Sequence, residues 1–221
     1  MKYVWLSYPL AIDGPRPPAI PSPSLEEYLF IEKDGASVQK LQIYSHTGTH
    51  LDTAAHVIQG GVSITEFSPE DLVFVKPVVI DLRLSLSEVV TAEMMCPLEE
   101  SIKGADMLIV RFGYSDLRKS HPGSFSKECA GFGIEAAEWL REHCKELRCI
   151  GTDAPSFATI AHLETTMTAH NVFLKDNSRK MLIIEEMKLD GGLSGLSEVR
   201  INPWLVEGMH SGPCTVTGIV E

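Results

Sequence analysis

The sequence predicts a layered α/β domain, and three observations carry that reading. The chain has 221 residues, 44% of them hydrophobic, enough for one substantial core. Short apolar runs of strand type recur from end to end, as in 78–82, 107–110 and 181–187. Between them, residues 131–147 carry apolar side chains at the 3–4 spacing of an amphipathic helix. Strands interspersed with helices imply layers, so the pattern supports α/β or layered α+β in a single domain spanning 1–221.

The elements follow in order. YVWLSYPL is a first strand that must pair elsewhere in the chain. Residues 12–24 (IDGPRPPAIPSPS) hold five of the 13 prolines and form an extended arm, because proline can sit neither inside a helix nor in a central strand. Residues 38–44 alternate enough to suggest a strand leading into the segment that follows. SPEDLVFVKPVVIDLR begins with a cap-like serine and continues as a buried strand over 78–82. TAEMMCPLEESI reads as a short helix, ADMLIVRFG as a strand, and 131–147 as the amphipathic helix with Ile134, Ala137, Leu140, Cys144 and Leu147 on one face. RCIGTDAPSF is a strand with its loop, and MLIIEEM and TVTGIVE are two further strands.

Composition excludes several function classes. A formal charge of −11 with 19 scattered basic residues does not make a nucleic-acid surface. No run approaches the ~18 apolar residues of a membrane span, and the opening segment lacks the core of a signal peptide, so a cytoplasmic location is expected. Five cysteines without CxxC spacing point to reduced thiols rather than a disulfide framework or zinc ribbon.

The chemistry concentrates in HTGTHLDTAAH, residues 46–56. Three histidines and an aspartate fall within eleven positions, while the other 210 hold only five histidines. The possible ligands are His46, His50, Asp52 and His56. In a helix, the i+6 residue lies about 240° from i, so one helix cannot gather them. In a straight strand, i and i+4 stand about 13 Å apart, too far for ligand atoms that must each approach within ~2.0–2.2 Å of one ion. A loop bent at Gly48 meets the requirement, with Thr47 and Thr49 as supporting hydrogen-bond partners. Imidazoles with a carboxylate suit Zn²⁺, Mn²⁺ or Fe²⁺.

These residues resemble the signature H-x-G-T/A-H-x-D-x-P-x-H of the metal-dependent hydrolases that include bacterial kynurenine formamidase and the cyclases, with isatin hydrolase as a relative. His46, Gly48, Thr49, His50, Asp52 and His56 are in register, and Ala54 replaces the usual proline. LSYPL, FSPEDL with VVIDL, FGY, GTDAPSF and TAHNVFL are similar to further family segments, the last to a helix start. The resemblance implies a swivelling β/β/α domain. It also implies that His46, His50 and Asp52 hold one divalent ion, Zn²⁺ or Mn²⁺, and that Asp52 bridges to a second held by His170 and Glu185. Glu185 lies fifteen residues beyond His170, three more than is usual in the family, as if 175–181 carried an insertion. Glu186 should point to the opposite strand face. His162 and Glu164 form a local alternative to the distal ligands.

The implied reaction is hydrolysis of an amide, formamide or lactone-type bond in a small-molecule substrate. A metal ion can bring the pKa of water to about 7, and His56 stands free as general base. Two other readings compete. One is an Fe²⁺/2-oxoglutarate-type oxygenase built on His50, Asp52 and His170, with Arg179 gripping the cosubstrate carboxylate; the other is a non-catalytic metal-binding protein.

Lesser signals have plainer explanations. Ser156 lacks a nucleophile elbow. Asp153 is either a loop cap or a support for the site, and His121, His143 and His210 are expected in solvated or structural roles. Trp5, Tyr8, Phe67 and Trp204 either pack the core or line an aromatic pocket. A homodimer or homotetramer is expected, with the arm free to cross to a neighbouring subunit.

Overall fold

The computed structural model describes residues 1–175 and 177–221. Its strands are β1 (Lys2–Trp5), β2 (Ser24–Leu29), β3 (Val38–Gln42), β4 (His50–Asp52), β5 (Val73–Phe74), β6 (Pro77–Asp81) and β7 (Val89–Val90), then β8 (Met107–Arg111), β9 (Gly131–Phe132), β10 (Cys149–Thr152), β11 (Leu182–Glu185), β12 (Leu196–Pro203) and β13 (Ser211–Val220). The helices are α1 (Ile31–Asp34), α2 (Ala92–Met95), α3 (Glu99–Ile102), α4 (Ser115–Ser120), α5 (Pro122–Glu128), α6 (Ile134–His143) and α7 (Leu163–Leu174).

One mixed sheet dominates, in the order β5-β12-β13-β4-β11-β10-β8-β6, with β1 beside β13. The half from β6 to β11 is parallel, and from β11 through β4, β13 and β12 to β5 neighbouring strands are antiparallel. The two outermost strands, β5 and β6, are separated only by Val75 and Lys76. The sheet must therefore curl until its edges almost meet, giving a mixed α/β domain around a nearly closed barrel.

Period-2 alternation divides the apolar side chains between two cores. Leu108, Val110, Ile150 and Ile183 face outward and pack with Phe125, Phe132, Leu140 and Phe173 from the helical layer. Met107, Ile109, Cys149, Leu182 and Ile184 face inward and meet Leu51, Phe74, Val199 and Val216. The continuous apolar runs of the sequence are strands covered on both faces.

Two elements depart from the sequence reading. The amphipathic helix covers only Ile134–His143, preceded by the short strand β9. Cys144 leaves helical geometry at φ −106°, ψ 74°, yet Cys144 and Leu147 remain buried, which is why their spacing mimicked a longer helix. Helix α7 begins seven residues before His170, although the resemblance placed a helix start at TAHNVFL. Its first turn is rich in threonine, a poor helix former, and is held by the Thr165 and Thr166 hydroxyls, both donating to the His162 carbonyl. The 38–44 strand proves to be β3, paired only with β2 in a hairpin whose β3 side chains are all exposed.

Arg179 secures the end of α6. Its guanidinium donates to the carbonyls of Arg141, Cys144, Lys145 and Leu147, at and just beyond the helix terminus. Arg179→Met should lower stability by about 2–3 kcal/mol, seen as a reduced urea midpoint at unchanged m-value.

Candidate metal centre

The site is built on the pairing of β4 with β11. His50 lies opposite Glu185 and Asp52 opposite Ile183. Directly opposed residues share a face, and so do residues two apart on one strand, so His50, Asp52 and Glu185 all project toward the helical layer. Leu51 and Ile184, one step out of phase, enter the barrel core.

His46 reaches the same place by a turn. Gly48 has φ +65°, in the left-handed region, and this folds the preceding residues back over β4. The expected bend at Gly48 is present, but the rest of the segment is a strand followed by a turn of 3₁₀ helix at Ala54–His56. A strand can serve here because it supplies only two neighbouring candidate ligands, while the turn and β11 supply the others.

The result is compact. Ligand atoms of His46, His50, Asp52 and Glu185 all lie within 4.8 Å of one another. His46 Nδ1 is 3.0 Å from His50 Nε2 and 3.3 Å from Asp52 Oδ1; His50 Nε2 is 3.0 Å from Glu185 Oε2. His170, from α7, places Nε2 3.1 Å from Glu185 Oε1, which also accepts the Phe157 amide at 2.6 Å. Backbone carbonyls orient two of the rings: His50 Nδ1 contacts the Gly48 carbonyl at 2.8 Å and His170 Nδ1 that of Thr166 at 2.7 Å. With Nδ1 donating, each Nε2 is the nitrogen turned toward the carboxylates.

The electrostatics call for a cation. Asp52 is 1% exposed and neither carboxylate oxygen accepts a hydrogen bond; the 3.3 Å approach of His46 is not aligned as one. Buried polar groups are normally satisfied, and an uncompensated carboxylate is among the costliest exceptions. Burial and the neighbouring Glu185 push the Asp52 pKa up. His46 falls to about 4, from burial and then from His50. Burial pulls His50 down, but Glu185 and Asp52 outweigh it and raise it to about 9; His170 rises for the same reason. Glu185 lies well below its ordinary range because its two imidazole partners outweigh its burial. A divalent ion would satisfy Asp52 and take the lone pairs of neutral imidazoles, so the donor set fits one.

The other candidates can now be placed. The His56 ring lies 4.5 Å from that of His46 and 6.1 Å from that of His170, its pKa lowered first by burial. Glu186 points away from the cluster to Arg118, as expected. His162 and Glu164 are exposed, so the local alternative is not assembled. Asp153 accepts the amides of Phe112, Gly113 and Tyr114 and acts as a loop clamp. Arg179 is committed to the α6 carbonyls and cannot grip a cosubstrate, which removes that part of the oxygenase reading.

A cavity of about 280 Å³ opens onto His46, Asp52, His56, His170 and Glu185. Pro17, Pro18, Ala19 and Ile20 of the arm form one wall, with Ser156, Ile160 and Met167 opposite. The sequence reading missed His210, whose ring stacks 6.0 Å from that of His56. Only its position beside β13, the partner of β4, could have signalled it. The aromatic residues are elsewhere: Phe67 is in the core, while Trp5, Tyr8 and Trp204 line a separate cavity of about 480 Å³.

The family model described as "Putative cyclase" matches residues 4–159, which include the whole histidine-rich segment. The chain belongs to the cyclase family. Cyclase-like protein 2 of Arabidopsis thaliana is 28% identical over 182 residues, covering 80% of this chain and 63% of the plant protein. This cyclase-family chain thus spans less than two thirds of that relative. Kynurenine formamidase of Erythrobacter litoralis is 25% identical over 187 residues, 83% of this chain and 77% of the relative. Isatin hydrolase A from Ralstonia solanacearum superposes with a TM-score of 0.82 at 20% identity, over 100% of this chain and 92% of that one, a likeness of fold. Among the described residues, no helix is long and apolar enough to cross a membrane.

Asp52→Asn should make the metal-free protein more stable by about 1–3 kcal/mol, by removing a buried unpaired charge. The same substitution should abolish the rise in Tm that zinc or manganese gives the wild type. Thermal unfolding with and without each metal checks both outcomes.

Proposed function

We propose that this chain is a metal-dependent hydrolase that cleaves an amide, formamide or lactone-type C–N or C–O bond. The observation that carries the reading is the buried Asp52 carboxylate, without a hydrogen-bond donor, surrounded by His46, His50 and Glu185. Those four residues would hold the ion. Their compactness favours one ion over two, with His170 fixing Glu185 through its 3.1 Å contact. Two imidazoles and two carboxylates suit Zn²⁺ or Mn²⁺.

When bound, such an ion activates water near neutral pH and polarises a carbonyl. His56 is the group left to handle protons. It borders the cavity, its side chain makes no hydrogen bond among the described residues, and burial lowers its pKa, favouring the neutral imidazole that has a lone pair for a proton. The proton accepted on the ring is then available to the leaving nitrogen or oxygen. The adjacent His210 ring limits how far His56 can swing.

The cavity's proline, isoleucine and methionine walls suit a compact apolar or aromatic acyl compound. The names of the relatives, a kynurenine formamidase and an isatin hydrolase, support the same class. A homodimer or homotetramer acting in the cytoplasm belongs to the same proposal. It would cover the exposed Tyr28, Phe30 and Ile31 of the β2–β3 hairpin, and light scattering of the purified protein should return twice or four times the 24.3 kDa chain mass.

Elemental analysis followed by assays with N-formylkynurenine, isatin and simple lactones, with and without chelator, tests the reading. Hydrolysis lost on chelation and restored by zinc or manganese supports it; chelator-resistant hydrolysis or a metal-free active protein overturns it. His50→Ala should lose both metal and activity. His56→Ala should keep its metal and lose roughly 10²- to 10⁴-fold in turnover.

A further inference from the structure

Glu185 is followed by a second buried glutamate that the hydrolytic chemistry does not use. Glu186 is 2% exposed and has φ +54°, left-handed backbone that disfavours any residue with a Cβ. It immediately follows the last residue of β11, and four segments converge on it. Its amide donates to the Ala154 carbonyl at 2.7 Å. Its own carbonyl accepts the Thr49 hydroxyl at 2.6 Å, and that hydroxyl accepts the Tyr8 amide at 3.0 Å. Its carboxylate receives both Nε, at 2.9 Å, and a terminal nitrogen, at 2.6 Å, of Arg118 on α4. The Arg118 guanidinium in turn lies 4.0 Å over the Tyr8 ring.

A buried glutamate in strained backbone persists only where its surroundings over-determine it. Here the surroundings reach the metal centre from both sides, because Thr49 immediately precedes His50 and Glu186 immediately follows Glu185. Those are the two residues paired across β4 and β11. We propose that Arg118 and Glu186 are a positioning pair, whose ion pair holds the left-handed turn that aims the Glu185 carboxylate at His50 and His170. Neither residue touches substrate or ion; the pair acts through the backbone.

The inference rests on the hydrolase reading for the role of Glu185 as a ligand, and two readouts keep the two ideas separable. The first is zinc affinity, by competition with a chromogenic chelator. The second is the imidazole ¹⁵N signals of His50 and His170 in metal-free protein, which report on Glu185 without any ion. The variants are Arg118→Met combined with Glu186→Gln, which removes both charges together and avoids leaving one buried alone, and Arg118→Lys, which keeps the charge but loses the two-nitrogen grip.

The double variant should bind zinc roughly 10- to 100-fold more weakly, the usual scale for residues that support a ligand, with both imidazole signals displaced; Arg118→Lys should fall between it and wild type. Folded variants with wild-type zinc affinity and unmoved imidazole signals would overturn the proposal. Should the double variant not fold, Arg118→Lys decides by the same two measurements. Wild-type protein that binds no zinc or manganese would sink the hydrolase reading, and the imidazole signals would still decide the pair.

Discussion

The register between β4 and β11 is the constraint from which the site follows. Opposing His50 to Glu185 and Asp52 to Ile183 brings two acids and an imidazole from distant parts of the chain onto one face. A one-residue slip of β4 would turn Leu51 outward and carry His50 and Asp52 into an apolar barrel, away from Glu185. The register is therefore held by the core as much as by the ladder: Leu51 and Ile184 belong to the inner cluster with Met107, Ile109 and Val216. Hydrophobic alternation, indifferent to chemistry, decides which side chains meet.

Concentrating those groups has an electrostatic cost that the fold meets unevenly. Glu185 is well supplied, with two imidazoles and the Phe157 amide, and stays ionised. Asp52, on the adjacent strand, receives nothing comparable and is held above its ordinary range by burial and by Glu185 itself. Two carboxylates with opposite shifts a few ångströms apart mark a site built for an added positive charge. The Glu186–Arg118 pair sits just outside it, so the chain carries consecutive buried glutamates with different partners: one faces imidazoles, the other a guanidinium.

Much of this was legible in the sequence where local chemistry dominates. The His46–His56 segment stood out by residue type, and Gly48 adopts the left-handed conformation its place among the ligands suggested. Strands β8, β10 and β11 were visible because both their faces are buried and their apolar runs uninterrupted, and the half-buried β6 by its apolar run alone. Glu185 could be separated from Glu186 by strand alternation. What was hidden depends on contacts made across the chain. The two-residue strands β5, β7 and β9 are too short for any periodicity. The first half of α7 has a threonine-rich sequence that propensity alone disfavours, and the helix is anchored by Ala169 and Phe173 of its second half, which pack into the outer core. His210 enters the site only because β13 pairs with β4. Arg179 looked like a free cation and is spent on helix carbonyls, since sequence shows charge but not the acceptors that surround it.

The position of β13 has a further implication for how the molecule comes to exist. Its first residues flank β4 and its last residues lie between β12 and β1, so the strand that carries His50 and Asp52 is bordered by residues 182–185 on one side and 211–213 on the other. During synthesis the N-terminal half emerges with its histidine-rich strand open along both edges, a template for unwanted pairing until about 160 further residues have been made. Long-range ladders of this kind fold slowly because loop closure precedes any reward. The arrangement that shelters the candidate ligands in the finished protein thus leaves them unsheltered on the ribosome, and a metal ion captured early by the nascent segment would meet a chain not yet able to enclose it.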